Sequence, residues 1–381
     1  MSLGQGYRTK AGLAREGDQT SWSSTTAPAV LGAGDLIPLL SESVEERLNR
    51  LPIDVLEGKA GRTASDITGV RYTGQIRLQG QYSGLESVLA LAFGAEEPQV
   101  SPTTGPSGVY SRYYEFDSVL QTRSWQFGEG FRFDHGLLFG DKRVARGTLG
   151  IDKDVSLWEF ASAMVGSIEL NANTADGLVI GTELVTRDLD RASTTNVTST
   201  GWTYPGGRNR VLFHDLTARL GVYSTGTSLS SGDNVRISDF SIRIENNLEA
   251  DTQTANSSRG IEEPVRNGVR TVTGSITIPC YRNDTFFDRH DADTLLMGDF
   301  KFTGPDIGSS TARYRLNIYL PSFRLTKASA PVNGPGTVAE TYSLEALIPA
   351  GEPSGFPFDR LNSELFIELQ NDVSVNVLYT T

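Results

Sequence analysis

The chain has 381 residues, 38% of them hydrophobic, with 40 glycines, 16 prolines and a formal net charge of −12. That length exceeds one ordinary core and suits two domains. The acidic balance, without a lysine or arginine run, argues against a surface that grips nucleic acid, and the single Cys280 excludes an internal disulfide framework.

Residues 1–35 are rich in Gly, Ser, Thr and Ala and read as an N-terminal arm. The start is too polar for a signal peptide, and no apolar run is long enough to cross a bilayer. From Leu36 the pattern changes. "LLSESVEERLNRL" (residues 39–51) and then "YTGQIRL" (residues 72–78) alternate as half-buried strands, separated by a polar loop over 57–69. "SGLESVLALAFG" follows, with Ser83 and Glu86 at capping-box spacing, a stripe of Leu85, Val88, Leu89 and Ala92, and Gly94 at the position that ends a helix. Further strands are expected in residues 162–188, and residues 191–210 read as a Ser/Thr/Gly linker.

The same order then returns. "SDFSIRIENNLEA" (residues 238–250) alternates Phe240, Ile242 and Ile244 against Ser241, Arg243 and Glu245. At an offset of 200 residues Ser41–Leu48 faces Ser241–Leu248, and Tyr72–Leu78 faces Val272–Ile278 without a gap. A long polar loop over 250–268 precedes the second strand, and "NDTFFDRHDADTLLMG" (residues 283–298) reads as a second short helix ending at Gly298. Strands over 312–329 and 336–349 close the copy, with Ile168, Leu170 and Leu184 of the first half set against Phe323, Leu325 and Leu344. The last segment, 350–381, adds one strand, "SELFIELQND". The fold class expected is mainly β, sandwich-like or barrel-like with short flanking helices, built as two tandem units over 36–190 and 211–349.

These segments resemble the major tail tube proteins of long-tailed bacteriophages, the siphovirus-like type. The resemblance rests on "ISDFSIRIENNLEA", a long loop, "VRTVTGSITI" and the closing "YRLNIYLPSFRLTKASAPVNGPGTVAETYSLEAL", doubled by "VRYTGQIRLQGQYSGLESVLALAFG". It implies modules that join edge to edge into rings, rings that stack through loops and termini, and a hollow conduit for DNA ejection. A chain with two modules would form a homotrimer ring of pseudo-sixfold symmetry, a hexameric ring being the alternative. Implied partners are other copies of the chain, the tail terminator and baseplate or tip proteins. The tape measure protein and DNA would pass through the bore without specific binding. The implied location is the virion tail, assembled in the host cytoplasm, with no membrane contact, no cofactor and no catalysis.

The polar strand faces supply the candidate bore or sheet-face residues: Ser41, Ser43, Glu45, Thr73, Gln75, Arg77, Ser241, Arg243, Glu245, Thr273, Ser275 and Thr277. Candidate ring-stacking residues in the loops are Lys59, Arg62, Asp66, Arg259, Glu262, Glu263 and Arg266. Asp288, His290, Asp291 and Asp293 bunch together, but at helical spacing they read as a solvated face and not a cation site. The alternative function is a carbohydrate-binding adhesin module, for which Trp125, Trp158, Trp202 and the Tyr113–Tyr114 pair would stack on sugars.

Overall fold

The computed structural model describes residues 6–17, 22, 28–53, 64–96, 110–116, 145–226, 228–253, 259–332, 334–351, 353, 356 and 363–373. The fold is mainly β. The first half contributes β1 (Lys10–Arg15), β2 (Leu39–Glu42), β3 (Glu45–Ile53), β4 (Ala64–Gln79), helix α1 (Glu86–Phe93), β5 (Tyr110–Phe116), β6 (Gly147–Asp152), β7 (Leu157–Asn173) and β8 (Gly177–Thr186). The second half contributes β9 (Leu216–Val222), β10 (Asp239–Glu245), β11 (Thr271–Ile278), helix α2 (Thr285–Asp291), β12 (Leu296–Asp306), β13 (Arg313–Ser329), β14 (Glu340–Ala346) and β15 (Phe366–Asn371). No helix among the described residues is long and apolar enough to cross a membrane.

One antiparallel sheet runs through both halves. Its order is β2/β3, β4, β8, β7, then β10, β11, β14, β13. Each half thus orders its strands as first, second, last and next-to-last, and the two sets meet where β7 pairs with β10. Strict alternation buries one face: Ile76, Ile168, Leu170, Ile242, Ile244 and Leu344 are all 0–1% exposed. Behind that face lie α1, packed on β7 and β1, and α2, packed on β13, where Phe286 and Phe287 meet Tyr342 with ring centroids 5.5 Å apart. A stacked pair, Phe240 and Phe300 at 4.9 Å, ties β10 to β12.

The two halves share a defect as well as an order. In β7 the register skips Gly166, so Glu183 faces Ser167 and Leu184 faces Val165. In β13 it skips Thr326, so Ser343 faces Lys327 and Leu344 faces Leu325. Gly74 and Gly274 face Leu184 and Leu344 in turn. A β-bulge bends and twists the strand that carries it, so both long strands leave the common sheet at the same point. Val165 is therefore the counterpart of Leu325, five residues from the Leu170 that sequence comparison set against it. The first strand is also displaced. Gly274 lies opposite Ile242, whereas the β2 and β3 registers with β4 bring Val44 opposite Gly74. Val44 matches Ile242 and not Ile244, a slip of two residues that keeps every side chain on its face.

The repeated Thr-Gly pair has a steric cause. A Cβ on Gly74 would stand 2.3 Å from the carbonyl oxygen of Ser43, and one on Gly274 would stand 2.5 Å from that of Ser241. Ser43 and Ser241 are equivalents under the corrected register.

Other expectations change with the structure. The segment expected as an arm holds β1, fully paired with β6, with Ala11 and Leu13 buried. Its small residues hide the strand because close packing here selects size, not hydrophobic bulk. Residues 64–69, expected as loop, belong to β4 and pair with β3; a strand polar on both faces gives no alternation to detect. The capping box does not form. Leu85 is the N-cap without a side-chain hydrogen bond, Ser83 Oγ donates to Asp372 at 3.1 Å, and Glu86 accepts from Gly84 N–H and from Asn371 Nδ2, both at 2.6 Å. Gly94 does end α1 with φ 78°. The second helix stops at Asp291, and Leu296–Gly298 begin β12. The linker is pinned, with Asn196 and Trp202 buried and Asn196 Oδ1 accepting from Leu31 N–H at 2.8 Å. The C-terminal strand β15 adds to its own chain, between β13 and β5.

Candidate functional site

The face opposite the core is a continuous polar surface. Directly opposed residues of an antiparallel sheet share a face, and one row of them crosses all eight strands: Ser41, Arg77, Gly181, Glu169, Arg243, Thr273, Glu345 and Arg324. A second row carries Ser43, Gln75, Glu183, Ser167 and Glu245. A third carries Ser241, Ser275 and Ser343, and Thr277 beside Thr341 follows it, with their hydroxyls 3.4 Å apart. Glu45 lies opposite Thr73. All twelve residues expected on a sheet face are therefore gathered on this one, which sequence alone left divided between two strand sets.

Sequence reasoning missed the charges that join the sets. Glu169 and Glu183, on β7 and β8, stand 3.8 Å and 3.5 Å from the Arg243 guanidinium, which also pairs with Glu245 on its own strand. Burial opposes the charged form of Arg243, but Glu245 and Glu183 outweigh it and hold the group above its usual range. Gln75 Nε2 donates to Glu183 at 2.9 Å, so the network reaches β4. Both signs alternate along the face, leaving no concentrated field to hold a polyanion.

The junction has a polar clamp on its other side. Asn246, fully buried, donates through Nδ2 to the carbonyls of Ala92 at 3.0 Å and Val165 at 2.9 Å, while its N–H reaches Gly166 O at 2.9 Å. A second-half residue thus satisfies the end of the first-half helix and the bulge beside it.

Two sheet margins have no partner among the described residues: the outer edge of β2/β3, and the edge of β13 beyond Phe323 that faces away from β14. Apolar side chains stand exposed near both, with Leu40 at 52%, Leu48 at 39% and Val332 at 75%. Unpaired edges of this kind invite another strand.

A family model described as phage tail tube protein matches residues 6–346. The chain belongs to that family. A comparison with curated proteins finds no match. Membership makes this a structural tail tube protein that self-assembles into a tube and resides in the virion tail.

In this tail tube protein the loop over 250–268 meets β4 at one end of the sheet. Val70 N–H donates to Arg259 O at 2.8 Å, Arg71 pairs with Asp251, and Trp22 Nε1 donates to Ile261 O at 3.1 Å. Asp66 is exposed on β4, and Arg266 lies in a two-residue strand pairing with Leu248–Glu249. Glu262 N–H donates to Thr252 O at 2.9 Å and Glu263 is half-buried, whereas Lys59 and Arg62 lie outside the described residues. The aromatic platform of an adhesin is not assembled from Trp158 and Trp202: Trp202 is buried and Trp158 lies under Lys153 Nζ, 3.7 Å from its ring centroid. Trp125 and the side chains of Tyr113 and Tyr114 lie outside the description. His290 Nδ1 contacts Asp291 at 3.0 Å, and among the described residues no three His, Cys, Asp or Glu side chains converge as a metal site.

Glu16, 1% exposed, accepts from Ser162 N–H at 2.6 Å, Ser162 Oγ at 2.9 Å and Thr148 Oγ1 at 3.0 Å. Burial holds its pKa above the ordinary range of a glutamate carboxyl despite those hydrogen bonds. Ser162 takes φ 52° in doing so, which fixes the bend of β7 from the outside.

Proposed function

We propose that the chain forms the tail tube as stacked homotrimeric rings. Residues 36–190 and 211–349 act as two tail tube modules, with 1–35, 191–210 and 350–381 as arm, connector and extension. The observation that carries this reading is the β7·β10 junction: one module's next-to-last strand pairs with the other module's first strand, and the same two strand types are left open at the two ends of the common sheet. A head-to-tail contact that repeats with rotation closes into a ring, and three chains carrying two modules each give sixfold-like symmetry. The polar face then lines the bore, through which the tape measure protein and DNA move. Its mixed charge suits passage without specific binding. The loop end at Val70 and Arg259, with the termini, makes the ring-to-ring contacts, and the terminator and tip proteins meet the last rings.

Electron microscopy of the purified protein tests this. Tubes whose cross-section shows six lobes from three chains are expected. Six chains per ring would refute the trimer and leave the tube; a protein that stays monomeric at assembly concentrations would refute both.

A further inference from the structure

We infer that the seam between neighbouring chains reproduces the β7·β10 ladder residue for residue, with the charges exchanged. This rests on the ring reading above. At the internal seam Ser167, Glu169 and Asn171 lie opposite Glu245, Arg243 and Ser241, and the Asn246 N–H bond to Gly166 O sets which pairs exchange hydrogen bonds. The shared bulge converts β7 positions into β13 positions, Val165 into Leu325 and Ser167 into Lys327. The Gly74 and Gly274 contacts convert β10 positions into β2/β3 positions, Ser241 into Ser43 and Arg243 into Glu45. The seam between chains then sets Lys327 opposite Arg47 and Ser329 opposite Glu45 on the polar face. Thr326, Ala328 and Ala330 exchange hydrogen bonds with Leu48, Glu46 and Val44.

Three observations fit this register. The arrangement Arg243–Glu245 on β10 becomes Glu45–Arg47 on β3, an ion pair of 3.2 Å in the opposite order. The opposing strand reverses with it: the carboxylate Glu169 gives way to Ser329, and Lys327, exposed and without an ion-pair partner among the described residues, lies diagonal to Glu45, within reach of a long side chain. Pro331 takes the place of Asn171, whose pairing with Ser241 is of the kind that directs its N–H toward the other neighbour. The missing N–H therefore ends the ladder with β14 and costs the seam nothing. On the core side Leu48 occupies the position of Asn246, so an apolar contact over Leu325 replaces the buried amide clamp.

Glu45 holds the charges of this seam together: it pairs with Arg47 on its own strand and lies diagonal to Lys327, so one carboxylate serves two cations that face each other directly. The test is oxidative cross-linking of assembled protein carrying Cys280→Ser. Glu45→Cys with Ser329→Cys should give covalent oligomers up to a closed trimer, at least tenfold more than Glu46→Cys with Ser329→Cys, whose side chains fall on opposite faces. Glu45→Lys, which would bring three cations together with Arg47 and Lys327, should reduce tube yield several-fold, and the double variant Glu45→Lys with Lys327→Glu should recover it. Tubes that form but cross-link through the Glu46 pair, or through neither pair, would overturn the register and leave the ring reading standing. Failure of the double charge variant to recover would overturn the charge exchange. Wild-type protein without rings would overturn the ring reading and this inference with it.

Discussion

Adding a single methyl group at Gly74 tests the close approach that defines the first two strands of each half. The new Cβ would lie 2.3 Å from Ser43 O and 2.4 Å from Val44 Cα, both backbone atoms with no rotamer to escape into. Relief requires the strands to part by about 1 Å, which carries the Ser43 N–H bond to Gln75 O, now 2.8 Å, beyond useful range. Overpacking of this kind costs roughly 1–3 kcal/mol, and a lost hydrogen bond adds about 1 kcal/mol. Gly74→Ala should therefore lose about 2–4 kcal/mol, and Gly274→Ala a similar amount, because its Cβ would meet Ser241 O at 2.5 Å. Gly181→Ala, in the same sheet with nothing within 4 Å, serves as control and should be neutral or gain about 0.5 kcal/mol. Thermal unfolding of unassembled protein, followed by circular dichroism, should place the first two variants roughly 3–5 °C below wild type. A Gly74→Ala protein melting with the Gly181→Ala control would show that close approach does not hold these strands.

Replacing Arg243 by Ala leaves Glu169, Glu183 and Glu245 facing one another. Its side chain is 37% exposed, so the loss after screening is about 1 kcal/mol, and it should change with added salt when unfolding is repeated at high ionic strength. Glu16 has a raised pKa in the folded state, so the folded chain binds its proton more tightly than the unfolded chain does. That stability is fully present below pH 4.5 and is lost as pH rises through the shifted value. Glu16→Gln should therefore gain relative to wild type on going from acid to neutral pH, as measured by denaturant midpoints across that window; a constant difference would refute the assignment. Deleting residues 250–268 should leave folded rings that do not stack, and normal tubes from that variant would place ring-to-ring contacts elsewhere.

Much of the common sheet was legible because alternation is a local signal. Phe240, Ile242 and Ile244 announce a strand and its buried face without any partner in view. The repeated Thr-Gly pair was visible too, though only the contacts with Ser43 and Ser241 explain it and reveal the slip of two residues in the strand before it. What stayed hidden depends on partners distant in sequence. Glu169 looks like any exposed strand residue until Arg243 is brought beside it. Asn246 reads as a turn residue, yet it bonds to Ala92 and Val165 in the other half. Ser83 and Glu86 carry the spacing of a capping box, but Asp372 and Asn371 compete for them and win, because buried carboxylate and amide contacts outweigh a local cap. Strand β1 was missed because its small residues are chosen for fit against β6.

The bulges at Gly166 and Thr326 each divide a strand of seventeen residues. Before the bulge, β7 runs with β6 and β13 runs with β12; after it, both run in the common sheet. The common sheet and the layer behind it are thereby sewn together by peptide bonds at two places in every chain. In the proposed tube, pressure on this sheet from a passing molecule would travel outward along covalent backbone, and the bore would widen only if both layers stretched together.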